Sequence, residues 1–225
     1  MPTEAALVPL IALIDKYPKE RFEPALYWFL QASRFSRYSG SGTTSLDEDL
    51  RDIHDSDSMK AAIQKLLKRF THDKPLEAED FLRDYGDSRF GRFILYLLIY
   101  RNKALDWDES GHRLGFEGLQ VLGDFRPQWH HIFPHKYLEG KIAEDKINAL
   151  ANIAVIGPSI NIRISAKDPL NYIQKYKISR DKLRQQFIDE EISEVSITNY
   201  ESWLTKRSEK LAAASNEFLH QLKSD

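Results

Sequence analysis

Apolar side chains return every three or four positions through the first hundred or so residues, the period of helices with one buried face. Ala5–Lys16 carries such a stripe and stops before Pro18. Phe22–Tyr38 repeats it with Leu26, Phe29, Leu30 and Phe35, and its Tyr27-Trp28-Phe29 cluster reads as helix core. Ser39-Gly40-Ser41-Gly42-Thr43-Thr44 then reads as a flexible break. Ser45 followed by Glu48 predicts a capping box, in which Ser45 accepts a backbone N–H and Glu48 reaches back. Met59–Phe70 has Ile63, Leu66, Leu67 and Phe70 at helical spacing, and Pro75 separates it from Leu76–Asp84. The unbroken run Phe93–Tyr100 fits helix or strand by periodicity alone. Its flanks, Ser88–Asn102, hold no breaker beyond Gly91, which predicts a central buried helix.

The pattern changes after Leu105. Gly111, Gly115, Gly118, Gly123, Pro127 and Pro134 crowd together, so long helices give way to loops and short strands. Gln128–Phe133 and Asn152–Ile156 are the strand candidates, with a helix-like piece at Leu138–Leu150 between them. Helices return at Pro169–Tyr176, Arg180–Ile188 and Tyr200–Leu222. The expectation is a mainly α chain with a small β element, an α+β arrangement in three parts. Residues 1–105 form an N-terminal helical bundle, 106–179 carry the strands, and 180–225 close the fold by packing back on the bundle.

Composition narrows the chemistry. The chain has 225 residues, 42% of them hydrophobic and 29% charged, ordinary proportions for a globular protein with a proper core. No cysteine is present, which removes thiolate nucleophiles, disulfides and every cysteine-based metal site. Any metal must be held by His, Asn, Asp or Glu. The longest apolar run falls far short of the ~20 residues of a membrane helix, and Met1–Leu13 lacks the basic start of a signal peptide. The expectation is a cytoplasmic protein with no membrane contact. A net charge of −2 means that a nucleic-acid role needs a local positive patch.

Three of seven histidines fall within Trp129-His130-His131-Ile132-Phe133-Pro134-His135. Neighbours on a strand point to opposite faces, so His130 and His131 diverge. Divergence suits a division of labour, one imidazole holding a metal and the other taking a proton from water. The plainer alternative is a strand with two half-buried, hydrogen-bonded histidines.

Downstream stand Leu150-Ala151-Asn152-Ile153-Ala154-Val155-Ile156 and then Asn161-Ile162-Arg163-Ile164-Ser165-Ala166-Lys167. The order His-His-Ile-Phe-Pro, an Asn opening an apolar strand, and a second Asn with Lys six residues later resembles the HNH nuclease motif. That resemblance implies a small embedded ββα-metal finger gripping one divalent ion, and DNA as the substrate. His130 matches the first metal ligand, where many relatives carry an acid. His131 matches the general base. Asn152 matches the central Asn that braces the loop and orients the base through its amide. Asn161 matches the second ligand, where other branches have His, and Lys167 a phosphate contact. The ion implied is Mg²⁺ or Mn²⁺, with Ni²⁺ or Zn²⁺ suited to an imidazole and an amide oxygen.

The resemblance extends along the chain. Arg37-Tyr38-Ser39-Gly40 before Leu46-Asp47-Glu48-Asp49-Leu50, and later Gln186-Phe187-Ile188 with Trp203-Leu204 and Arg207, is similar to GmrSD-type modification-dependent restriction proteins of phage defence. Those proteins carry an N-terminal nucleotide-dependent, ParB-like domain, which this sequence does not show, so the resemblance implies a C-terminal part of a longer protein. Between Asn161 and Arg184, seven basic residues face two acids, a local +5. Arg163, Lys167, Lys175 and Lys177 are the candidate phosphate contacts. Arg113 and Arg126 stand near in sequence, and Asp108 and Glu109 read as loop solvation. The function expected is a metal-dependent DNA nickase. The alternatives are a non-catalytic DNA-binding or regulatory module that keeps the scaffold, and a helical interaction module.

Overall fold

The computed structural model describes residues 4–40, 42–70, 74–115, 128–189, 192 and 194–223. They divide into two compact units, residues 1–75 with 216–225 and residues 76–215. The fold is mainly helical with one two-stranded antiparallel sheet. Among the described residues no helix is long and apolar enough to cross a membrane.

In the first unit, α1 (Leu7–Lys16) packs on α2 (Glu23–Arg34) and α3 (Gly42–His54), while α4 (Met59–Leu67) packs on α2 and α3. Leu13, Trp28, Leu30, Ile53, Ala62 and Leu66 fill the interior. Full burial of each large apolar side chain contributes about 1.5–3 kcal/mol. Ser58 caps α4 by accepting the Ala61 N–H at 3.2 Å. Lys16 closes the end of α3, its ammonium donating to the carbonyls of Ile53 and Ser56 at 2.9 and 2.8 Å.

The capping box expected at Ser45 does not form. Helix α3 starts earlier, at Gly42, and Ser45 lies buried inside it. Glu48 has stronger partners than a backbone amide, because Arg37 and Arg69 reach it at 3.2 and 3.1 Å. The same two guanidinium groups flank the fully buried Asp49 at 3.0 and 3.2 Å, and the Tyr38 hydroxyl donates to it at 2.7 Å. The Arg37-Tyr38 and Glu48-Asp49 segments are therefore joined in one ion network centred on the buried Asp49.

The second unit begins with α5 (Ala78–Leu82) and α6 (Arg89–Arg101). Helix α6 is the apolar run, but it buries one stripe, Gly91, Ile94, Leu95, Leu98 and Ile99, while Tyr100 stays exposed. These helices belong with the strand-bearing region rather than with a bundle ending near residue 105. Backbone bonds explain it: Leu150 N donates to Arg83 O and Tyr85 N to Asn148 O, each at 2.9 Å. Gly91 permits this approach, since a Cβ there would meet Leu150 Cδ2 at 2.7 Å.

Strand β1 (Gln128–His131) pairs antiparallel with β2 (Ile153–Ile156), His130 opposite Ala154 and His131 opposite Ile153. Between them run two single-turn helices, α7 (His135–Leu138) and α8 (Glu144–Ile147), and a 3₁₀ turn, Leu150–Asn152. The expected continuous helix-like piece at 138–150 is thus broken. Helix α9 (Pro158–Ile164) follows β2 and packs against β1. Then come α10 (Pro169–Lys175), capped by Asp168, α11 (Arg180–Arg184), capped by Ser179, and α12 (Tyr200–Lys223). Residues 180–215 close this second unit, and only 216–225 group with the first. Gln186 lies along β2, its amide exchanging two hydrogen bonds with the Val155 backbone at 2.8 and 2.7 Å. The buried Arg207 guanidinium donates to the carbonyls of Ala151 and Gln186.

Candidate functional site

The alternation of a strand sends the two histidines of β1 to different surroundings. His130 is 5% exposed and points towards α9 and α10. Its Nδ1 lies 2.8 Å from Asn161 Oδ1, a contact between residues 31 positions apart. Trp107 and Tyr172 meet the ring edge-on, centroids 5.7 and 5.9 Å away, and stack on each other. The Tyr172 hydroxyl donates to Ile132 O at 2.9 Å, which fixes this wall to the strand end. Burial pulls the His130 pKa down to about 4, against the raising effect of Asn161. The ring is uncharged at neutral pH. Its Nε2 is buried and meets no hydrogen-bond partner among the described residues.

His131 is half-buried on the other face. Its Nε2 lies 3.1 Å from Asn148 Oδ1, and Tyr85 meets the ring edge-on at 5.4 Å. Asn148 Nδ2 donates to Glu144 Oε1 at 3.0 Å, and His135 Nε2 lies 2.7 Å from the same oxygen. Burial lowers the His131 pKa, Asn148 works against that, and nearby His135 adds to it. This ring too is neutral at pH 7, with the unprotonated nitrogen a general base requires.

Asn152 is fully buried. Its Oδ1 accepts from Phe133 N at 3.0 Å, and its Nδ2 donates to Phe133 O at 3.1 Å and Ile147 O at 2.9 Å. It braces the loop after β1. The expected amide contact to the base is made by Asn148 instead, because Asn152 is committed to backbone on three sides. Asn148 was not singled out in the sequence, although Glu144 and Asn148, four apart after the histidines, offered a faint signal.

The basic residues gather around one ring. Arg163, Lys175 and Lys167 place their charges 4.8, 5.6 and 6.0 Å from the Tyr176 centroid. Lys167 is also committed to structure, donating to Arg163 O at 2.8 Å and Ile164 O at 3.2 Å at the end of α9. Arg163, Lys175 and Lys177 are exposed, as is Ile162 at 78%. Lys182 donates to Asp108 O at 2.6 Å, so it serves the loop that carries Trp107. Arg126 lies outside the described residues. Asp108 accepts from Ser110 and Gly111, a loop role as read. Asp106 was missed: it is buried, accepts from Gly157 N at 2.8 Å just ahead of α9, and burial raises its pKa.

The donor pair His130 and Asn161 can be tested against a divalent ion. Two neighbouring donors about 2.1 Å from one ion sit about 3 Å apart, close to the observed 2.8 Å. In that contact the amide oxygen only accepts, so Nδ1 carries the imidazole proton, and it would have to give that proton up before the pair could hold an ion. Among the described residues no group of three or more His, Cys, Asp or Glu side chains could hold a metal. With Nδ1 deprotonated, His130 and Asn161 would supply two ligands and leave the other positions to water and phosphate.

No protein-family model matches the chain, and no curated protein or solved structure matches it either. Its chemistry rests on these side chains.

Proposed function

We propose that the chain is a metal-dependent, HNH-type endodeoxyribonuclease that nicks DNA, part of a phage-defence protein of the type IV restriction kind. The convergence of His130 Nδ1 and Asn161 Oδ1 carries this reading, since nothing in their sequence separation would bring two such donors together by chance of local structure. The two antiparallel strands and the helix that follows them support the reading of a ββα-metal finger. His130 and Asn161 would hold one divalent ion, which when bound supplies Lewis-acid stabilisation of negative charge on the phosphate. His131 takes the proton from the attacking water, whose oxygen bonds to phosphorus as the bond to the 3′ oxygen breaks. Asn152 keeps the strand end rigid beneath it. Arg163, Lys175 and Lys177 line up the backbone, and Lys167 holds the end of α9 under them. One finger cuts one strand, so a single copy nicks. The whole protein would add a nucleotide-dependent, ParB-like domain.

A second reading is a non-catalytic DNA-binding module, favoured by the burial of His130 between Trp107 and Tyr172, which alone would suit a structural histidine. Plasmid nicking by wild type and His131→Ala, in EDTA, Mg²⁺, Mn²⁺ and Ni²⁺, separates the two. Relaxation of supercoiled plasmid by wild type alone, and only with metal, supports the nuclease. Binding of duplex without relaxation under every ion overturns it in favour of the second reading.

A further inference from the structure

A histidine serves as a base through whichever nitrogen lacks the proton, and its neighbours decide which that is. Around His131 the decision can be traced outward-in. The Glu144 carboxylate is acceptor-only when ionised, and the hydrogen bonds it receives hold its pKa below the ordinary value, His135 first among them. The Asn148 group facing Glu144 Oε1 at 3.0 Å must therefore be the NH₂. The amide oxygen is then left to face His131 Nε2 at 3.1 Å, and an amide oxygen only accepts. The proton of a neutral His131 must sit on Nε2. His131 Nδ1 makes no hydrogen bond among the described residues, and it is not one of the buried, partnerless atoms.

We propose that Asn148, oriented by Glu144, is the positioning residue that fixes His131 in its Nε2-protonated tautomer and presents Nδ1 as the nitrogen that accepts the proton from water. The catalytic consequence rests on the nuclease reading; the tautomer does not. The backbone is arranged for the task independently of the side chain. Asn148 N donates to Glu144 O at 3.0 Å and Asn148 O accepts from Tyr85 N at 2.9 Å, so the amide is launched from a fixed Cα. Tyr85 comes with the same backbone bond and meets His131 edge-on, restricting the ring plane. His135 Nε2 donates to the Glu144 oxygen from the other side, so two donors hold that carboxylate in place. Asn148 thus does for this imidazole what a buried carboxylate does for the histidine of a hydrolase triad, with an uncharged acceptor in its place.

The test uses the full chain labelled with ¹⁵N-histidine, with His131→Ala assigning the His131 ring signals. In wild type at neutral pH, Nε2 should show the protonated and Nδ1 the bare-nitrogen resonance. Asn148→Leu should move the ring to a mixture of tautomers. Glu144→Ala, at an exposed position, should release the amide and give a mixture even if Asn148→Leu folds poorly. In nicking assays, Asn148→Leu should lower kcat roughly 10–100-fold with KM held, the usual cost of losing an orienting partner. A proton on Nδ1 in wild type, or a ring unmoved by both Asn148→Leu and Glu144→Ala, overturns the inference. The expected tautomers with no nicking by any variant support it and overturn the nuclease reading instead.

Discussion

The two sides of β1 make a controlled comparison: adjacent histidines on one strand, both pushed towards the neutral form by burial, yet set in opposite kinds of wall. The His130 side is aromatic, with Trp107 and Tyr172 enclosing a ring whose one polar contact among the described residues is Asn161. The His131 side is a polar chain, imidazole to amide to the exposed Glu144 carboxylate, ending at the half-buried His135 imidazole. An aromatic wall fixes where a donor atom sits and excludes competing polar partners. A polar chain fixes which nitrogen carries the proton. On the proposed reading the first suits a ligand and the second a base, and the period-2 alternation of one strand keeps the two walls apart.

The sharpest way to break this contrast is His131→Ala, which should lower metal-dependent nicking by 10²–10⁴-fold, the usual worth of a positioned base, while thermal denaturation stays near wild type. A comparable loss from melting of the fold would put His131 on the structural side of the comparison. Next in size is Asn152→Ala, beneath both walls. Three backbone partners lose their hydrogen bonds in a fully buried place, and urea unfolding should show a loss of about 3 kcal/mol. Asn161→Asp should sharpen the His130 side. A carboxylate is a harder ligand than an amide oxygen, so calorimetric titration should show Mg²⁺ binding about tenfold tighter, with the thermal midpoint in EDTA little changed. The smallest effect is expected at the patch. Lys175→Ala and Lys177→Ala should each weaken duplex binding a few-fold, and each should reduce the dependence of log affinity on log salt by about one unit. An unchanged salt slope would remove those side chains from the phosphate contacts.

The helices were legible where periodicity was long. Helices α1, α2, α4 and α6 fall within the stretches read from apolar spacing, α12 overruns its stretch by one residue, and β1 and β2 fall within the two strand candidates. Helix α9 was not read from the pattern, since a seven-residue helix with only Ile160 and Ile164 buried gives too few turns to show a period. The start of α3 was misplaced because Ser45 and Glu48 match a local cap, while the groups that claim Glu48 come from Arg37 and Arg69, too far along the chain to enter a local reading. The same distinction holds at the site. His130, His131, Asn152 and Asn161 stood out because their types and order resemble a known motif. Trp107, Tyr172 and Asn148 did not, because what makes them matter is contact across 17 to 65 positions rather than any local pattern: Asn148 is 17 from His131, and Tyr172 is 65 from Trp107.

The glutamine laid along β2 has a consequence for how the molecule comes together. The Val155 backbone finds its partner in a side chain 31 positions later, and the Ala151 carbonyl finds its own in Arg207, 56 positions later. Closing loops of that length costs entropy before the contacts repay it, so such contacts form late. On the ribosome, the hairpin bearing both histidines would emerge long before the residues that complete it. A chain stopped before Gln186 would present β2 with an open flank, ready to pair with a neighbour of its own kind. The flank of the histidine hairpin is thus completed by residues 31 to 56 positions further along the chain.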